Sequence, residues 1–170
     1  MGKCTLILGG ARSGKSRFAQ ALAEQEEGRL VYVATAGAYD AEMEERVERH
    51  RDDRGEQWET VEEQYDLAAV IARYSGSSTL LVDCLTLWLS NVILGEQDVG
   101  AAIAGLVAAL NACDGHVILV SNEVGSGIVP ETPLGRAFRD EAGRLNQRVA
   151  AQADTVALVV AGLPLWLKGH

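Results

Sequence analysis

The chain has 170 residues, enough for one domain with one core, and 48% of them are apolar, which excludes an extended disordered polypeptide. The formal net charge of −9 excludes wholesale binding to a nucleic acid backbone or an anionic membrane surface. The expectation is a single nucleotide-binding domain over residues 1–170, with no nucleic acid partner and no membrane insertion.

The first apolar run, "CTLIL" (4–8), reads as a buried strand and is too short for a secretory signal. It leads into Gly9, Gly10, Ala11, Arg12, Ser13, Gly14, Lys15 and Ser16, which fit G-x-x-x-x-G-K-[ST]. Strand before and helix after (15–27) are the context that motif requires. Glycines let successive backbone N–H groups point at phosphate oxygens, and the helix N-terminus adds partial positive charge. Lys15 supplies a full charge near the outer phosphates, and the Ser16 hydroxyl can ligate Mg²⁺.

A second strand is expected at "LVYVA" (30–34) and a charged helix over about 40–54. On that helix Arg46, His50 and Arg54 would share one face, with Met43 and Val47 as an apolar line beside them. Two guanidiniums beside an imidazole disfavour its charged form, and a neutral ring near fixed positive charge suits attack on a phosphate. A solvated surface histidine is the plainer alternative. "WETVEE" (58–63) reads as a short strand or extended segment, and 66–74 as a helix.

"TLLVD" (79–83) is the next strand, and Asp83 at its end is the natural second element of a triphosphate site, as metal ligand or amide acceptor. The competing reading makes Asp83 the cap of the helix over 85–94. Trp88 and Leu89 on that helix are either core or a subunit interface. A helix over 98–112, a strand "HVILV" (116–120), a helix over 134–152 and a strand "TVALVV" (155–160) follow. Gly162 and Pro164 suit a turn into a last, antiparallel edge strand. The fold class is therefore α/β, a mostly parallel central sheet with helices on both faces. Cys4, Cys84 and Cys113 have no metal-site spacing and read as buried thiols of a soluble cytoplasmic protein.

Taken in order, "GGARSGKS", "RVERHRDDR", "LLVDCLTLWLSN" and "SNEVGSGIVP", with "FRDEAGRLNQ" after it, resemble the bifunctional adenosylcobinamide kinase / adenosylcobinamide-phosphate guanylyltransferase family of cobalamin biosynthesis. The likeness runs from Leu6 to Lys168. It implies a RecA-like P-loop NTPase fold, a homotrimer, GTP and ATP as substrates, Mg²⁺, and adenosylcobinamide as the corrinoid substrate. It implies that the hydroxyl of the aminopropanol arm is phosphorylated, and that GMP then passes through a histidine to that phosphate. The histidine falls on His50. Arg51, Asp52, Asp53 and Arg54 match one nucleotide-contacting stretch, and Ala34, Thr35 and Ala36 match another. Glu62 and Asp83 match acidic positions near the nucleotide. The stretch 121–147 is expected near the corrinoid or a subunit contact, with a structured but inert loop as the alternative. The other readings are a plain P-loop small-molecule kinase and a nucleotide-dependent regulatory switch; no N-K-x-D guanine-reading motif supports the switch.

Overall fold

The computed structural model describes residues 2–37, 45, 48 and 54–169. The strands are β1 (Lys3–Gly9), β2 (Arg29–Ala34), β3 (Trp58–Glu62), β4 (Ser78–Asp83), β5 (His116–Asn122), β6 (Thr155–Val160) and β7 (Leu163–Lys168). The helices are α1 (Lys15–Ala23), α2 (Leu67–Arg73), α3 (Leu85–Leu94), α4 (Val99–Ala112) and α5 (Pro133–Gln152). The strands form one sheet in the order β3-β2-β4-β5-β1-β6-β7, parallel throughout except for the antiparallel β6–β7 pair. The expected edge strand after Gly162 is thus present. "WETVE" is a strand, and it occupies the other edge.

Strand periodicity sorts the side chains into two cores. Leu6, Val31, Val33, Leu80, Val82, Val117 and Leu119 pack against α2, α3, α4 and α5. Ile7, Leu30, Tyr32, Leu81, Ile118 and Val120 face the other way, toward Ala19 and Ala23 of α1. The direction of chain travel explains this division. From β1 to β2 the chain moves toward the β3 edge, and a right-handed crossover puts α1 on one face. From β3 onward it moves back, and the same handedness puts the later helices on the opposite face.

Local chemistry sets the helix starts. Asp66 caps α2 by accepting from Ala69 N–H at 3.0 Å, and Asp98 caps α4 by accepting from Ala101 N–H at 2.9 Å. Thr132 accepts from Gly135 N–H at 3.0 Å, with Pro133 in the first turn of α5. Helix α1 stops at Ala23, short of the expected 27, because Gly28 turns the chain into β2 at a φ of 107°. Trp88 and Leu89 are fully buried, so the interface alternative for them fails and they are core. All three cysteines are buried and unpaired, and burial pushes the Cys4 thiol up to about 12. Among the described residues no helix is long and apolar enough to cross a membrane.

Candidate functional site

Those residues singled out by sequence that are described gather along the carboxyl ends of the parallel strands, where open α/β sheets bind ligands. Gly9–Ser16 links β1 to α1 as the motif demands. Gly9 cannot be replaced without disturbance, since a Cβ there would lie 2.4 Å from Ser13 Oγ and 2.8 Å from the Val159 carbonyl oxygen. Gly14 adopts a φ of 91° at the start of α1, and Arg12 is also left-handed at 52°. The Ser13 hydroxyl is buried and finds no partner among the described residues. The largely buried Lys15 ammonium folds back over the loop and donates to the Gly10 carbonyl at 2.9 Å. The loop therefore closes on itself, with N–H groups, an orphan hydroxyl and a cation set around a space that suits phosphate.

Strand register places the acids. Ala34 of β2 pairs with Glu62 of β3 on one side and with Asp83 of β4 on the other. The three stand at one level at the carboxyl edge, with Glu62 exposed. Asp83 does not cap α3; that helix starts after Cys84 with no side-chain cap, and Asp83 Oδ2 instead accepts from the Tyr32 hydroxyl at 3.1 Å. Burial, then the neighbouring Asp83 charge, pushes the Tyr32 phenol well above its ordinary 10.0, so it remains a donor.

A cavity of about 540 Å³ opens between α1 and the strand ends, lined by Ser16, Gln20, Glu24, Tyr32, Arg54 and Asp83, among others. Ser16, Gln20 and Glu24 are successive i, i+4 positions of one helix face. Arg54 is buried, and its guanidinium sits 3.4 Å from the centre of the Tyr32 ring. Arg54 lies in a turn before β3, so the expected helix does not extend to it. His50, Arg51, Asp52, Asp53, Arg46, Met43 and Val47 lie outside the described residues. Of the stretch 40–54 only Glu45 and Glu48, both helical, and Arg54 are described.

Thr35 and Ala36 follow β2 directly. The Thr35 hydroxyl is fully committed: it donates to Cys84 C=O at 2.7 Å and accepts from Cys84 N–H at 2.9 Å. Asn91 Nδ2 donates to Thr35 C=O at 2.8 Å. The threonine side chain braces the ends of β2 and β4 against each other, and Ala36 beside it is half-buried. Sequence reasoning missed Tyr32, which reads as one more β-former in an apolar run. No group of three or more His, Cys, Asp or Glu is placed to hold a metal among the described residues. Ser16 and Asp83 are oxygen donors on one cavity, a set that fits a hard cation completed by substrate phosphates and water.

The loop after β5 carries Glu123, whose carboxylate accepts from Gly125 N–H at 2.8 Å and Ser126 Oγ at 2.9 Å. Ile128, Val129 and Leu134 beyond it are exposed.

The chain is similar to known proteins along nearly its whole length. The family described as cobinamide kinase / cobinamide phosphate guanyltransferase matches residues 5–167. The bifunctional adenosylcobalamin biosynthesis protein CobP of Pseudomonas aeruginosa is 47% identical over 168 residues, covering 97% of each chain. The bifunctional adenosylcobalamin biosynthesis protein CobU of Escherichia coli is 42% identical, covering 96% of this chain and 98% of that one. A looser likeness, from which nothing follows for activity, is to the VirB11 ATPase of the Brucella suis type IV secretion system (TM-score 0.43, 10% identity, 92% of this chain and 43% of that one). With a family match spanning nearly every residue and relatives of this similarity along their whole length, the chain belongs to the cobinamide kinase / cobinamide phosphate guanyltransferase family.

Proposed function

We propose that this chain phosphorylates adenosylcobinamide and then transfers GMP from GTP to the resulting phosphate, yielding adenosylcobinamide-GDP. The observation that carries the reading is the meeting of Ser16, Asp83 and Arg54 on one cavity beside the Gly9–Ser16 loop, in a chain of this family.

In the first reaction the aminopropanol hydroxyl attacks the terminal phosphorus of ATP or GTP. The hydroxyl loses its proton, and the nucleoside diphosphate leaves. The loop N–H groups and Lys15 neutralise the charge on the transferring group. In the second, the lone pair of a neutral His50 nitrogen attacks the α-phosphorus of GTP, forming a P–N bond and expelling pyrophosphate. An oxygen of the corrinoid phosphate then attacks the same phosphorus; the P–N bond breaks and the imidazole is restored. Arg54 offsets the charge that develops, and Glu62, Arg51, Asp52, Asp53 and the stretch Ala34–Ala36 contact the nucleotide. Ser16 and Asp83 would hold Mg²⁺, which would screen the phosphate oxygens from one another. The working form is a cytoplasmic homotrimer.

The test is incubation with GTP labelled at the α-phosphate, followed by denaturation. The expected result is an acid-labile, alkali-stable adduct that disappears in His50→Ala. Phosphorylation of the corrinoid without any adduct would leave a plain kinase and sink the transfer reaction.

A further inference from the structure

We propose that Tyr32 is a positioning residue of the nucleotide site, holding the Asp83 carboxylate with its hydroxyl and seating the Arg54 guanidinium on its ring. The proposal rests on the reading above only in that the cavity takes a nucleoside triphosphate.

The geometry starts from the sheet. Tyr32 and Asp83 lie on adjacent parallel strands, two and zero residues from their carboxyl ends, and alternation turns both toward the α1 face. Asp83 uses Oδ2 to accept from Tyr32, which leaves Oδ1 for an occupant of the cavity. The opposite charge is held by the face of the same ring, where the Arg54 guanidinium is 3.4 Å from its centre. One side chain therefore fixes the distance between an anion and a cation that line the same 540 Å³ space.

The ring itself is held from behind. Trp58 meets Tyr32 edge-on, with centroids 6.4 Å apart at 85°, and Trp58 Nε1 donates to Glu24 Oε1 at 3.1 Å. Arg54 lies four residues before β3, and its guanidinium meets the sheet at Tyr32. A tyrosine serving the core alone would need only some acceptor for its hydroxyl. This one contacts two charged groups of the same cavity.

The experiment is calorimetric titration with a non-hydrolysable GTP analogue and Mg²⁺. It compares wild type, Tyr32→Phe, Tyr32→Leu, Arg54→Met and the Tyr32→Leu/Arg54→Met double variant, with circular dichroism to establish folding. Tyr32→Leu should weaken analogue binding roughly tenfold. At saturating Mg²⁺, which masks loss of the Asp83 tether, the double variant should bind within about twofold of Arg54→Met alone, because the ring acts through the guanidinium. Tyr32→Phe keeps the ring and should mainly raise the Mg²⁺ concentration needed for binding, since Asp83 loses its tether. Wild-type binding by Tyr32→Leu, or losses that multiply with those of Arg54→Met at saturating Mg²⁺, overturns the proposal. If Tyr32→Leu does not fold, an unchanged Mg²⁺ requirement in Tyr32→Phe overturns it. Wild type that binds the analogue but forms no covalent adduct with labelled GTP overturns the guanylyl transfer alone. Wild type that binds no analogue overturns both.

Discussion

The carbonyl oxygen of Ser13 accepts a 2.7 Å hydrogen bond from the backbone N–H of Gly162. The phosphate loop is thereby pinned to the turn between β6 and β7. The approach is close enough that a Cβ on Gly14 would lie 3.1 Å from Gly162 Cα, and Gly14 already holds a φ of 91°. Gly14→Ala should cost about 1–3 kcal/mol by urea unfolding and weaken triphosphate binding, because relief of strain has to move one backbone or the other.

Lys15 donates only to Gly10 C=O within the loop. Lys15→Ala should leave the unfolding free energy within about 1 kcal/mol of wild type. Corrinoid phosphorylation should fall by at least ~100-fold, since the main positive charge at the phosphates is lost. Turnover near the wild-type rate would show that the phosphates bind elsewhere.

Thr35→Val preserves shape but strips the Cys84 N–H and C=O of the hydroxyl that serves both. Leaving buried backbone groups without that partner should cost about 1–3 kcal/mol in denaturant unfolding. The end of β4 should loosen with it, and weaker triphosphate binding through Asp83 should accompany the loss of stability.

His116 should give the protein an acid-sensitive component. Its ring nitrogens contact Glu26 Oε1 at 3.0 Å and Thr5 Oγ1 at 2.9 Å. Burial is the main cause that lowers it below its ordinary 6.5, with Lys3 adding to the effect and Glu26 and Asp154 opposing it. The folded state thus binds the proton less readily than the unfolded chain does. Stability is full above about 6.5 and declines as pH falls below it toward the folded value. The Tm of wild type should drop more between about pH 7.5 and 5.5 than that of His116→Gln; equal slopes would mean that Glu26 cancels the effect of burial, and a smaller drop in wild type that Glu26 holds the ring charged.

The sheet was legible because parallel strands buried on both faces read as unbroken apolar runs, and "TLLVD", "HVILV" and "TVALVV" each lie within the observed strands. The end of α1 was not, because Gln25, Glu26 and Glu27 favour helix and only the φ required at Gly28 stops it. The phosphate loop could be read at once, since all its parts are contiguous. Tyr32 and the bracing by Thr35 could not, because each depends on a partner about fifty residues away that only the β2–β4 pairing brings alongside. Asp83 stood between two readings until the register put it beside Tyr32 and left α3 to begin without it.

The place of β1 in the sheet bears on how the chain is made. Lys3 pairs with His116, and Thr5 pairs with Thr155, so the first strand of this sheet to leave the ribosome has both neighbours more than a hundred residues later. During synthesis this sticky apolar segment stays without hydrogen-bonding company until most of the chain has emerged, a long-range topology that folds slowly and invites chaperone assistance. A ribosome stalled before β6 has emerged should hold a nascent chain unable to grip a nucleotide, however complete its glycine-rich signature.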